Sequence, residues 1–302
     1  MTDARSLSIQ FGVAVAILCS VGCPPKVTRI PQPVGSIPTA MDFVVAQQRR
    51  VQAVPSLSLR GHAELQWRDE KGRHFDDGDF DLVVRPPSDL SLRVGKLGEK
   101  FLWVGAGGGH SWIVLPRESP SRAVIRDWNE SESSHEMSMG IGVTGLDGVI
   151  EPRRLIEALG LANVTEGDIS AIGWDEIRGA WCFKLLNRRA YARGETLLPI
   201  GCEWLNLEMR VVGSCTLDNF EWIRGTWPIG SPPSSVQALV PTRIRFALWS
   251  QGRRELDEEP GGEIKLSAQE PSFGGDRIRP QLFNWDDVKA ALRPEVIEES
   301  QE

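Results

Sequence analysis

The sequence predicts an α+β protein: a curved antiparallel β-sheet, or incomplete barrel, with a few packed helices. Two observations carry that expectation. From Ser56 to Trp67 apolar and polar residues alternate without a break, a period of two that suits a strand with one buried and one wet face. Further short apolar segments follow at hairpin-length spacing, and helical periodicity is confined to residues 39–54, 152–161 and 286–292. Consecutive strands of that kind pair as an antiparallel meander, curled so that one face is concave.

The chain has 302 residues, 41% of them hydrophobic and 25% charged, which is the ordinary globular range. Its 34 basic against 41 acidic side chains leave a net charge of -7. That balance argues against nucleic acid as a partner, because phosphate backbones recruit basic surfaces.

The amino terminus reads as an address. Arg5 precedes the apolar run Phe11 to Leu18, and the small-residue segment Ser20-Val21-Gly22 ends at Cys23. The run is too short to span a bilayer, which takes about 20 apolar residues, but it suits a signal sequence. Gly22-Cys23 with Val21 before it resembles the lipobox of bacterial lipoproteins, although Ser20 stands where that pattern prefers Leu. The resemblance implies cleavage after residue 22 and acylation of Cys23, so that the membrane becomes a partner through lipid chains. It also implies the outer membrane, since Pro24 stands where an inner-membrane retention signal carries Asp. Residues 23–38 hold Pro24, Pro25, Pro31, Pro33 and Pro38 and form a semi-rigid tether.

Elements follow in order from Thr39, a plausible N-cap. Met41, Val44, Val45, Val51 and Val54 recur at helical spacing, with Gln47, Gln48, Arg49 and Arg50 largely on the other face. In the first strand Leu57, Leu59, Leu65 and Trp67 share the apolar face. Residues 69–73 turn the chain, Phe80, Leu82 and Val84 alternate with Asp79, Asp81 and Arg85, and Pro86-Pro87 ends the strand. Leu90, Leu92 and Val94 make a third. Strands at 101–104 and 112–115 flank the glycine-rich segment 105–109, read as a flexible loop, and another begins at Ala123. Residues 129–149 are polar and form a loop or lid. Pro152 to Leu161 is helical, with Leu155, Ile156 and Leu159 on one face. Strands return at 181–186, 204–212, 219–224, 244–249 and 263–266. A helix at 286–292 and an acidic tail to residue 302 close the chain.

The order helix, then Gly61 to Trp67, then Gly78 to Pro86, then Leu90 to Val94 and Phe101 to Trp103 is similar to the start of the LolA/LolB-like superfamily, periplasmic carriers and receptors of lipoproteins. The matching stretch spans residues 40 to 128. The resemblance implies a half-barrel domain over 39–285 with a helical lid, around a cavity that takes acyl chains. By it, Leu57, Leu59, Leu65, Trp67, Phe80, Leu82, Leu90, Leu92 and Trp103 line that cavity. Core packing alone would also account for such alternating residues.

Other signals weigh less. Gly140 to Gly145 matches GxGxxG, but no apolar strand precedes it and no helix opens on its last glycine. Asp76, Asp77, Asp79 and Asp81 could gather a hard cation, yet alternate ones fall on the wet face of a strand. His62 beside Glu64 reads as a surface pair. Trp174, Trp181, Trp222 and Trp227 fit a sugar platform or a core equally well. Removal of residues 1–22 leaves Cys182, Cys202 and Cys215 besides Cys23. One disulfide, with Cys202 and Cys215 the nearest pair, and buried thiols are equally compatible with the spacing. No metal, cofactor or catalytic constellation is called for, so the chain is not expected to be an enzyme. Two functions stand: non-covalent handling of lipid or lipoprotein acyl chains, or an envelope scaffold with a filled interior that binds protein or glycan.

Overall fold

The computed structural model describes residues 29–69, 72–117, 119–127, 151–224, 238–253, 255, 258–275 and 278–299. The first half contributes β1 (Leu57–Asp69), β2 (Gly72–Arg85), β3 (Asp89–Lys96), β4 (Glu99–Gly107), β5 (His110–Leu115) and β6 (Arg122–Asp127). The second contributes β7 (Ile169–Asp175), β8 (Ala180–Leu185), β9 (Arg188–Arg193), β10 (Leu198–Leu205), β11 (Val211–Trp222), β12 (Leu239–Arg253) and β13 (Gly262–Ser272), with β14 (Val296–Glu299) at the end. All belong to one 14-stranded sheet in the order β14-β6-β5-β4-β3-β2-β1-β13-β12-β11-β10-β9-β8-β7. The chain thus lays down two antiparallel meanders that meet where β1 pairs with β13, Ala63 opposite Leu266 and Leu65 opposite Ile264. The β14–β6 pair is parallel. The expected curved antiparallel sheet, open rather than closed, is the fold found.

Among the described residues three α-helices accompany it: α1 (Ala40–Ala53), α2 (Pro152–Ala158) and α3 (Trp285–Leu292). Thr39 caps α1 through a capping box: Asp42 N–H donates to Thr39 Oγ1 at 3.1 Å and Thr39 N–H to Asp42 Oδ2 at 2.8 Å. Such a cap contributes about 1 kcal/mol. No helix among the described residues is long and apolar enough to cross a membrane.

Alternation sorts the side chains onto two faces. The inner face carries Leu57, Leu59, Leu65, Leu82, Val84, Leu90, Leu92, Val94, Ile244, Phe246, Ile264 and Leu266, all within one buried core that also takes Leu155, Ile156 and Leu159 of the α2 segment. On the outer face a second core holds Val83, Trp103, Trp112 and Val114 under Leu282, Phe283 and Val288 of the C-terminal segment. Among the described residues, one end of that face is roofed in this way.

Several expectations are corrected. Residues 204–212 alternate like one strand but form the β10–β11 hairpin, with Leu207 and Met209 exposed at its tip. Asn206 decides it: its Oδ1 accepts Arg210 N–H at 2.9 Å and its carbonyl accepts Met209 N–H at 2.9 Å, so local turn chemistry overrides the pattern. Residues 219–222 continue β11 instead of forming a strand of their own. Gly105 and Gly107 are strand residues, not a flexible loop. A Cβ on Gly105 would lie 2.4 Å from the Trp112 ring and one on Gly107 2.3 Å from the Phe283 carbonyl, so both admit close neighbours. Of the turn read at 69–73, Asp69 belongs to β1 and residues 72–73 to β2. Gln47 and Arg50 of α1 are buried, not solvated. Cys182, Cys202 and Cys215 are free buried thiols, with Cys202 directly opposite Cys215 across β10 and β11.

Candidate functional site

The inner face forms a trough, and α2 lies across it. This helix touches β3 and β4 on one side and β10 and β11 on the other, strands separated in the sheet by β2, β1, β13 and β12. The sheet must curl for that contact, and α2 closes the curl. Leu155, Ile156, Leu159 and Leu161 are each at most 1% exposed within it. Pro152 at the first turn starts the helix, and Gly160 at φ 68° ends it, a conformation that costs glycine little.

Eight of the nine sequence-nominated residues share this face. Leu57 pairs opposite Val84, Leu59 opposite Leu82, Leu82 opposite Leu92, Leu90 opposite Val84 and Phe80 opposite Val94. Leu65 sits with them, and Trp67 packs half-buried at the end of the row, stacked on His74 at 5.2 Å. Trp103 does not join them. Its neighbours Leu102 and Val104 face the trough, so the pleat turns Trp103 outward, where its Nε1 donates to Ser91 Oγ at 3.0 Å and Arg93 and Lys100 cover its ring. The nomination erred by carrying the tryptophan strand over without its register. Cys23 and the glycine motif at 140–145 lie outside the described residues.

Ile244, Phe246, Leu248, Ile264 and Leu266 complete the trough from the second meander. Their period of two was visible in the sequence, but nothing local indicates that β13 returns to β1. Arg50, by contrast, left no signal. From α1 it reaches the end of α2, where its Nε donates to the Leu159 carbonyl at 2.6 Å and its Nη1 to the Leu239 carbonyl at the start of β12 at 2.7 Å. Burial pushes its guanidinium down to about 9, still charged at neutral pH. Glu157 holds α2 from the other side. It accepts from Trp204 Nε1 at 3.0 Å and pairs with Arg188 and Arg153. Burial raises its carboxyl, but these partners outweigh that and keep it below the usual range.

Two of the four aspartates of β2 are engaged by cations: Asp77 with Lys96 at 2.6 Å, Asp81 with Arg93 and Arg60. Among the described residues no three metal-capable side chains converge. Trp174 meets Trp181 edge-on at 5.2 Å, and Trp174 Nε1 donates to the Ile30 carbonyl at 2.9 Å, docking the tether on β7. Trp222 is half-exposed elsewhere, so these three rings form no common platform; Trp227 lies outside the described residues.

The trough is filled. The cavity beside α2, lined by Phe43, Gln47, Glu157 and Arg188 among others, measures about 10 Å³. A cavity of about 550 Å³ lies instead on the outer face of β9 to β12.

The structure is similar to a DUF1329 family protein from Desulfovibrio piger, with 13% identity and a TM-score of 0.44 over 83% of this chain and 99% of that one. It is also similar to a LolA superfamily protein from Nitrosomonas europaea, with 12% identity and a TM-score of 0.43 over 82% and 99%. A third is an outer membrane lipoprotein-sorting protein domain from Vibrio parahaemolyticus, with 10% identity and a TM-score of 0.46 over 84% and 100%. No family model matches the sequence, and no curated protein matches it.

Proposed function

We propose that this protein acts in the cell envelope as a non-covalent carrier or receptor of acyl chains, sheltering a chain in the trough at the position α2 occupies. The carrying observation is what α2 does there. Leu155, Ile156, Leu159 and Leu161 bring about sixteen side-chain carbons into an otherwise continuous apolar face, the bulk of one long acyl chain. Exchanging them for acyl methylenes, each worth about 0.8 kcal/mol on burial, costs little apolar burial. What resists the exchange is polar: the Arg50 bonds to the ends of α2 and β12, and the Glu157 pairs. Under this reading those bonds are a latch. Acylation of Cys23, followed by the proline-rich tether 23–38, would hold the carrier at the outer membrane.

A second reading has its own observation. The trough is packed and α2 is locked by ions, as expected of an envelope scaffold that binds protein or glycan through its surface. Native mass spectrometry of the full chain, offered phospholipid and acylated peptide, separates the two. The carrier reading expects a lipid-bound mass, faster uptake by Arg50→Met and no uptake by Leu82→Glu with a folded circular-dichroism spectrum. An apo mass throughout, with Arg50→Met only less stable, would leave the scaffold.

A further inference from the structure

The 550 Å³ hollow belongs to the sheet face opposite the trough and is built from polar groups. Its floor is Gly201, Ser214, Thr216 and Ala247, short side chains from β10, β11 and β12. The walls are tall: Arg178, Tyr191 and Arg193 on one side, Trp249, Arg253 and the 258–260 segment on the other. Behind the floor Glu203, 2% exposed, organises the arginines. Arg178 Nη2 donates to its Oε1 at 2.6 Å, Arg253 Nη2 to the same oxygen at 3.0 Å, Arg189 Nη1 to Oε2 at 3.3 Å and Tyr191 Oη to Oε2 at 2.7 Å. Stacking stiffens two of them further, Arg178 over the Tyr191 ring at 4.2 Å and Arg253 over the Trp249 ring at 5.0 Å.

Around Glu203 the arginines outnumber the carboxylates they bond, while Arg245 on the same face is taken by Glu263. Arg178, Arg189, Arg193 and Arg253 face two carboxylates, Glu203 and Asp175, the latter held by Arg178 Nη1 at 2.9 Å. Among the described residues the Arg193 side chain bonds a neutral group, the Arg178 carbonyl at 3.3 Å. A guanidinium carries five N–H donors in a rigid fork, so the bonds described for Arg193 and Arg253 take a minority of theirs, and both side chains line the hollow. Asp218, Glu258 and Glu259 line it as well, which repels an extended polyanion while leaving room for one negative group between Arg193 and Arg253.

We propose that this hollow binds a small ligand with a single anionic oxygen head, a carboxylate or phosphate ester, gripped by Arg193 and Arg253 and seated over the Ser214 and Thr216 hydroxyls. The site is independent of acyl binding in the trough. Its volume suits a headgroup or a small metabolite, and pre-ordered arginines lose little freedom on binding.

The test is calorimetric titration of the full chain, in neutral detergent, with acetate, glycerol 3-phosphate and short-chain dihexanoyl phosphatidylglycerol below its micellar concentration. Saturable binding of any of them, weakened about tenfold or more by Arg193→Gln and weakened by added salt, supports the site. Arg253→Gln should act likewise; because it touches the Glu203 cluster, Arg193→Gln is the deciding variant if Arg253→Gln fails to fold. Tighter binding of the short-chain lipid than of glycerol 3-phosphate identifies a lipid headgroup as the source, and equal binding a free anion. Silence for all three probes up to ~10 mM, a range that reaches beyond millimolar affinity, overturns the proposal, as does an affinity that Arg193→Gln leaves unchanged.

Discussion

Leu82 and Trp103 show how one step along a pleat decides a residue's part. Leu82 is fully buried in the trough, between Leu59 and Leu92. Trp103 is nearly as buried, yet beneath the C-terminal segment on the other face. Removing either side chain opens a cavity, at about 2 to 5 kcal/mol for Leu82→Ala and about 3 to 5 kcal/mol for Trp103→Ala. Chemical denaturation should therefore register both as destabilising. Lipid uptake by the folded fraction separates them: Trp103→Ala retains it under the carrier reading, and a loss comparable to that of Leu82→Glu would contradict the assignment of faces. Most of the inner row was legible because Leu57, Leu59, Leu82, Leu90 and Leu92 alternate in plain view. Arg50 was not legible, since a buried arginine bonded to two distant carbonyls has the local sequence of a solvated one.

At the scale of elements, the C-terminal segment is a roof over part of the outer face. Asn284 caps α3 by accepting Asp287 N–H at 3.1 Å, and Leu282, Phe283 and Val288 cover Trp103, Trp112 and Val114. Beyond α3, β14 pairs in parallel with β6 and places Glu298 against Arg122. Deletion from Pro280 onward would bare that aromatic patch and an apolar sheet face. Its expected outcome is a chain that self-associates and binds a hydrophobic dye, read by light scattering and dye fluorescence; a monodisperse, dye-silent deletion would refute the roof. The helix was legible in the periodicity of 286–292. The parallel strand was not, because an acidic tail gives no sign of a partner some 170 residues earlier.

Over the whole molecule, two carboxylates held by cationic partners, Glu157 and Glu203, tie stability to pH. Burial raises both Glu157 and Glu203, and their arginine, tyrosine and tryptophan partners outweigh it, so both titrate below the ordinary value of 4.5. A carboxyl lowered on folding stabilises fully above its unfolded pKa, and that contribution is lost as pH falls through the folded value. Thermal melts should therefore be flat with respect to these groups near neutrality and fall steeply below about pH 4.5. Glu203→Gln should lower the neutral melting temperature and flatten the acid slope; an unchanged slope would mean that the arginine cluster does not hold that carboxylate ionised. The same cluster shapes the outer hollow, so its integrity links stability to the proposed anion site.

Period-two alternation, helix caps and hairpin turns are local, and they determined by themselves that this chain makes a curved antiparallel sheet with packed helices. They also determined which side chains of β1 to β3 share a face, because a strand has only two. Tertiary structure alone decided that β13 returns to β1 and fuses two meanders, that α2 fills the trough, and that three arginines from separate segments converge on Glu203. Those outcomes depend on contacts between residues far apart in the chain, where long-range packing and charge pairing, not local pattern, set the free energy.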